Sequence, residues 1–205
     1  MTFSIVAKCV DTGQFGLAIS SSSPAVAARC AFAKAGVGAV ATQNVTNPAL
    51  GPMVLQHLES GSSASNAVTT SISSEPFPSY RQLLAVDRNG NTCIHSGENS
   101  LGLWTETQGL YCAAGGNLLA NLDVPQAMVE GFENTKGTLG DRLVAAMQSG
   151  LAAGGEAGPL HSAGLLVVDT QDWPYAELRG DWTEDCPITM IAQAWKIYKP
   201  QAKDY

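Results

Sequence analysis

No Cys-X-X-Cys pair occurs among the five cysteines (Cys9, Cys30, Cys93, Cys112 and Cys186), which are scattered and odd in number. Neither a zinc ribbon nor a thioredoxin-type centre is signalled, and reduced thiols are expected. Histidine is scarce. His57, His95 and His161 show no paired ligand spacing, and a lone His is usually a structural residue, so no metal is expected. Charged residues make up only 14% of the chain, and no Lys/Arg run interrupts a net charge of -7, so nucleic acid is not an expected partner. Gly, Ser or a charged residue breaks every apolar segment, so no membrane-spanning helix is expected. The opening residues lack a basic region followed by a long apolar stretch and a cleavage site, and cytoplasmic residence is the expectation. Gly115-Gly116-Asn117 has neither the G-X-G-X-X-G spacing nor a P-loop lysine. Gly16 to Ser20 gives no G-X-S-X-G elbow, so an α/β-hydrolase is not supported. No cofactor is expected.

What remains is a chain of 205 residues that is 45% hydrophobic and rich in Ala, Gly and Ser. That length suits one domain, residues 1–205 with 201–205 as a short tail, and buries a sizeable core by tight packing of layers.

The most informative stretch is the first. Thr2 to Val10 is largely apolar, Asp11 to Gln14 is a turn signal with Gly13 able to take positive φ, and Phe15 to Ser20 is apolar again. This predicts a hairpin. A turn centred between Thr12 and Gly13 would set Thr2 opposite Ser23 and Ser4 opposite Ser21, with all four side chains on one face. Loss of Met1 would then leave the Thr2 hydroxyl beside its own α-amino group at a strand end, a nucleophile and base together. Threonine is small enough for ordinary methionine removal.

Further along, Ala25 to Ala35 reads as a short helix or a third extended segment, and Gly36 to Gln43 as a buried strand. Helices are expected over Leu50 to Ser60 and Ser65 to Ser73, the latter capped by Ser62 or Ser63. Arg81 to Val86 and Thr92 to Ser96 flank an Asn89-Gly90 hairpin turn. Thr107 to Ala114 reads as one strand ending at Gly115-Gly116-Asn117. Helices follow over Val124 to Asn134 and Leu139 to Ala153, then strands His161 to Val168 and Tyr175 to Arg179, and a helix Ile188 to Tyr198. Paired helices between groups of strands argue for an α+β fold with sheets inside and helices outside, not a doubly wound parallel sheet.

Several blocks occur in order along the chain: Thr2 to Ala7, Ala35 to Gln43, Asn47-Pro48 with Gly51-Pro52, Gly116 to Ala120, Gly154 to Pro159, and His161 to Leu165. In these blocks the chain resembles the family catalogued as domain of unknown function 1028. That resemblance implies a fold like the N-terminal nucleophile hydrolases, a four-layer α-β-β-α sandwich, in which the first residue of the first strand is the nucleophile once it is exposed by processing. It places that role on Thr2 and supplies no substrate.

The chemistry asks for more than Thr2. A free α-amino group, with a pKa of about 7.7–8.0, serves as base to the hydroxyl, whereas the peptide nitrogen after Met1 does not. An oxyanion needs donors, for which Asn117 with the Gly115 and Gly116 backbone, and Gln43 or Asn44, are the candidates. Asn117 as a left-handed turn residue is the competing account. Ser4, Ser21 and Ser23 are candidates to orient Thr2. Glu156, His161 and Asp181 are candidates to bind a substrate ammonium or the N-terminal amine, and Arg29 and Lys34 to receive a carboxylate, although most such charges are solvated partners. The expected function is hydrolysis of an amide in a small polar molecule through a Thr2 acyl-enzyme. The rivals are a small-metabolite binding protein that keeps Met1 and a structural subunit of an oligomer. A homodimer is expected on base rates.

Overall fold

The computed structural model describes residues 1–202 and Asp204. The predicted opening hairpin forms from β1 (Thr2–Lys8) and β2 (Phe15–Ser21). Its register differs from expectation: Thr2 pairs with Ser21 and Ser4 with Ile19. The last pair is Lys8 with Phe15, closed by Cys9 N–H to Gln14 O at 2.8 Å, so the turn centres between Asp11 and Thr12, one residue earlier than expected, and Gly13 takes φ 77° within it. A shift of two residues preserves the face, so Thr2, Ser4 and Ser21 still point the same way, while Ser23 lies beyond the strand.

Both readings of Ala25 to Ala35 hold in succession, as α1 (Val26–Cys30) followed by β3 (Ala31–Lys34). Next come β4 (Gly38–Asn44), α2 (Leu50–Glu59) and α3 (Ala64–Ser73), where Ser63 caps α3 by accepting from Asn66 N–H. β5 (Arg81–Asp87) and β6 (Thr92–Ser96) form the Asn-Gly hairpin. The single strand expected over Thr107 to Ala114 is instead a second hairpin, β7 (Thr105–Gly109) and β8 (Cys112–Asn117). Its tight turn places Tyr111 at φ 63°, a conformation bulky residues rarely adopt, so no turn signal marks it. The remainder is α4 (Val124–Asn134), α5 (Leu139–Ala152), β9 (Ser162–Val168), β10 (Ala176–Gly180) and α6 (Pro187–Tyr198). The expected tail turns back at Gln201, burying Ala202; Lys203 and Tyr205 lie outside the described residues.

The strands make two antiparallel sheets, one ordered β10-β9-β2-β1-β8-β7 and the other β3-β4-β5-β6. Alternation along each strand divides the core into three. Phe3, Ile5 and Ala7 of β1 face α4, α5 and α6, packing with Met128, Phe132, Leu143, Met147, Ile191 and Trp195. Val40, Leu83 and Ala85 of the second sheet pack against Val54, Leu58 and Val68 of α2 and α3. Between the sheets, Val6, Leu17 and Ile19 meet Ala39, Ala41, Leu84 and Val86. β1 is therefore central in its sheet and buried on both faces, and Thr2 stands at its end.

Candidate active site

Thr2 opens β1 between two neighbours set by strand pairing, Ser21 of β2 on one side and Asn117 of β8 on the other. Along the face of β1 that looks at the second sheet, Val6 belongs to the apolar cluster, whereas Ser4 and Thr2 do not. The second sheet changes in step: Leu84 and Ala41 give way to Gln82 and Gln43 two residues along each strand, and Ile94 gives way to Ser96. One end of the inter-sheet space is thus polar and buried, with Thr2 6%, Ser4 0%, Ser21 0%, Gln43 0%, Gln82 0% and Asn117 1% exposed.

Every amide in this end is engaged. Ser4 Oγ donates to Gln43 Oε1 at 2.7 Å, and Gln43 Nε2 donates to Gln82 Oε1 at 2.8 Å and to Gly115 O at 3.1 Å. Asn117 Nδ2 donates to the same Gln82 oxygen at 3.1 Å. Gln82 Nε2 in turn reaches Ser96 Oγ at 2.9 Å and Gly116 O at 3.2 Å. Such a network is stable because each buried polar atom has a partner, and removal of one member orphans the others. Gln82 is the residue that sequence reading missed. Its signal was present as a polar residue in phase with Leu84 and Val86 on an otherwise apolar strand face.

On the other flank the Thr2 and Ser21 hydroxyls lie 3.2 Å apart, and both donate to the Met1 carbonyl oxygen. Ser23 closes over Ser21, its N–H donating to Ser21 Oγ at 3.1 Å and its hydroxyl 2.8 Å from that oxygen. Arg29, presented by α1, donates to Ser23 Oγ at 2.6 Å and to Pro24 O. Ser162 Oγ holds the bend by donating to Ser23 O at 2.6 Å and accepting from Val26 N–H at 3.2 Å. Lys34 takes no part. It is exposed and paired with Glu59 at 2.6 Å.

Of the remaining predicted residues, several are drawn elsewhere. Asn44 takes φ 71° and lies on the opposite strand face from Gln43, where Nδ2 donates to Tyr80 O at 2.7 Å and Oδ1 accepts from Leu101 N–H at 3.1 Å. Asp181 pairs through its carboxylate with Arg179 at 3.0 Å, and only its backbone oxygen reaches towards the bend, accepting from Ala25 N–H. His161 serves the site by its backbone, donating to Ser21 O at 3.0 Å, while its ring stacks 4.1 Å from Trp182 and bonds Thr183 O. Asn117 is in extended strand, and it is Leu118 that takes the left-handed conformation, at φ 50°. Gly116 is held by contact: a Cβ there would come 2.6 Å from Leu119 Cδ2 and 3.0 Å from Phe3 Cβ.

Glu156 is different in kind. It is 5% exposed, and neither carboxylate oxygen has a hydrogen-bond partner among the described residues. Burial pushes its carboxyl up to about 8; the chain's α-ammonium and the Ser22 N–H and hydroxyl favour the charged form without restoring it. It lines a cleft of about 320 Å³. Among the described residues no three His, Cys, Asp or Glu side chains gather to hold a metal ion, and no helix is long and apolar enough to cross a membrane.

The sequence profile of a family of unknown function, DUF1028, matches residues 2–191. The crystal structure of a protein from Silicibacter pomeroyi, matched by the same family profile, is 32% identical with a TM-score of 0.90, over 97% of this chain and 86% of that one. Anbu (ancestral beta-subunit) from Yersinia bercovieri is 13% identical with a TM-score of 0.42, over 97% and 95% of the two chains. Anbu from Hyphomicrobium sp. strain MC1 is 11% identical with a TM-score of 0.42, over 98% and 96%. Both Anbu similarities are too slight to carry an inference. No curated protein matches the chain.

Proposed function

The chain belongs to the DUF1028 family, whose function is unknown, and from that premise we propose that it is an N-terminal nucleophile amidohydrolase acting on a small polar amide. The observation that carries this reading is the polar, hydrogen-bonded end of the inter-sheet space, which begins at Thr2 beside the apolar contact between the sheets. In this reading the two helix groups and the two sheets are the four layers of an α-β-β-α sandwich in a single domain.

The mechanism begins with loss of Met1, which turns the Thr2 amide nitrogen into an α-amine able to accept a proton near neutral pH. That amine takes the Thr2 hydroxyl proton as Oγ1 bonds to the substrate carbonyl carbon. Asn117 gives one amide N–H to Gln82, which fixes the group, and has a second to offer the oxyanion; Ser21 Oγ, which now donates to the Met1 carbonyl oxygen, is the other donor. Collapse breaks the C–N bond, and the leaving amine takes the proton from the Thr2 ammonium. Water, deprotonated by the same amine, then attacks the Thr2 ester, releasing the acid and restoring the hydroxyl. The energetic advantage is preorganisation: the donors are held by the buried network before substrate arrives.

Intact mass of untagged protein and an amide-library screen test this. A mature chain shorter by one methionine should hydrolyse an amide, and Thr2→Ala should lower kcat by at least about a thousandfold with unchanged circular dichroism. Full activity in Thr2→Ala, or in protein that keeps Met1, refutes the assignment.

A further inference from the structure

Glu156 sits at the Thr2 end of the sheet because the segment around it is tied to both neighbours of β1. Glu156 bridges Leu119, and Ala157 N–H donates to Leu118 O at 2.9 Å, immediately after Asn117. Ala120 N–H donates to Gly155 O at 3.0 Å, and at the far end of the segment His161 N–H reaches Ser21 O. The chain from 155 to 161 therefore crosses the end of β1, carrying a buried carboxylate that makes no close hydrogen bond among the described residues and whose charge is favoured only by the Ser22 N–H and hydroxyl and the α-ammonium. A buried carboxylate with no ion-pair partner in contact is costly.

The cleft that Glu156 lines selects for cations. Glu184 and Asp185 stand beside it, Leu151 and Leu160 form apolar wall, and no Lys or Arg contributes to the lining. Glu184 is mostly exposed, with Trp182 Nε1 donating to it at 2.9 Å, so the rim is acidic and the deepest acid is the unpaired one.

Met1 indicates how a ligand would lie. Its carbonyl oxygen is the acceptor of the Thr2 and Ser21 hydroxyls, and its side chain rests against Gly158, a residue of the cleft wall, where a Cβ would come 2.8 Å from Met1 Cε. Its α-ammonium is the cation whose field reaches Glu156. Met1 is thus an α-aminoacyl group with its carbonyl at the hydroxyls, its side chain in a notch left by a glycine, and its charge towards an unpaired acid. Loss of Met1 empties that volume.

We propose that Glu156 is the receptor for a substrate ammonium group, so that the amides taken by the Thr2 site are those whose acyl half carries a free α-amine. This deepens, and rests on, the amidohydrolase reading. The ammonium supplies the counter-charge that burial withholds, and the apolar walls accommodate an aliphatic side chain.

The test separates binding from turnover. Calorimetric titration at pH 7 of Met1-free Thr2→Ala protein uses L-methioninamide, whose α-amine is then largely an ammonium, and N-acetyl-L-methioninamide, in which an acetyl group abolishes that charge. The amine is expected to bind at least about tenfold more tightly than the acetylated probe, the difference expected of one charge-assisted contact. Glu156→Gln on the same background, isosteric and neutral, should bring the two together, with a thermal melt confirming the fold; Glu184→Gln should weaken only the amine, by a few-fold. Equal affinity for the two probes, or no saturable binding of either, overturns the proposal, as does a Glu156→Gln variant that keeps the preference. Equal hydrolysis of both probes by the Thr2 protein overturns it while leaving the nucleophile reading intact. Preferential amine binding with no hydrolysis of any amide leaves the ammonium site standing and removes the nucleophile reading.

Discussion

Replacing Glu156 by Gln should shift stability in favour of the variant as the pH rises. In the folded chain the carboxyl is pushed up to about 8 by burial, against an ordinary value of 4.5. A carboxyl that holds its proton more tightly when folded contributes full stability below about pH 4.5, loses it steadily as pH rises to about 8, and loses no more above that. At pH 5 the loss is under about 1 kcal/mol, and at pH 8 it is about 4 kcal/mol, each unit of pH between the two values being worth about 1.4 kcal/mol. Gln does not titrate, so it escapes the loss, at a fixed cost of about 1–3 kcal/mol for an amide that inherits the missing partners. The fixed cost cancels when pH values are compared. The gap between variant and wild type should therefore grow in favour of Gln by about 3–4 kcal/mol from pH 5 to pH 8, or about 10 °C in Tm for a chain of 205 residues. Urea unfolding of both proteins at four pH values across that range measures it. Other carboxylates are common to both proteins and drop out. A gap that stays constant would refute the reasoning, because it would mean that Glu156 titrates as an ordinary acid.

Two further outcomes concern the scaffold around the site. Gln82→Leu removes the acceptor shared by Gln43 and Asn117, and should lower stability by about 2–4 kcal/mol in chemical denaturation while reducing kcat, because Asn117 loses the contact that orients it. Arg81→Met breaks a buried pair with Glu75 at 2.8 Å, leaving a carboxylate that is 1% exposed with only Asn47 and Phe77 as donors. Unfolding free energy should fall by about 3–5 kcal/mol. Although burial raises the Glu75 carboxyl, hydrogen bonds from Arg81, Asn47 and the Phe77 N–H hold it below its ordinary value, so wild type gains stability as pH rises through the acid range and the variant, left with Asn47 and Phe77, gains less.

Alternation and punctuation made much of this legible. Gly13, Asn89-Gly90 and Gly154-Gly155 mark their turns because only certain residues take those conformations cheaply, and the helices stop where such residues stand. Tyr111 and Leu118 show the limit. Both take positive φ with side chains that do not advertise it, so the β7–β8 hairpin looks like one strand in the sequence and Asn117, a better left-handed residue by type, competes with Leu118 for that position. Their side chains rest against Gly90 and Gly102, tertiary contacts that local propensity does not record.

The same division runs through the site. The order of residues alone determined that Thr2 opens the first strand, that Ser4 shares its face and that Ser21 faces the same way, because a strand has a fixed period and a two-residue slip of register does not change it. Three things were decided only when distant segments met: that Gln82 rather than Asn44 joins Gln43, that Ser23 is held by Arg29 and Ser162, and that Glu156 lies buried with no close hydrogen bond among the described residues. A residue's face is written in its neighbours along the strand, but its partner is set by which strand lies across from it and whether water is excluded, and both belong to the packing of the two sheets.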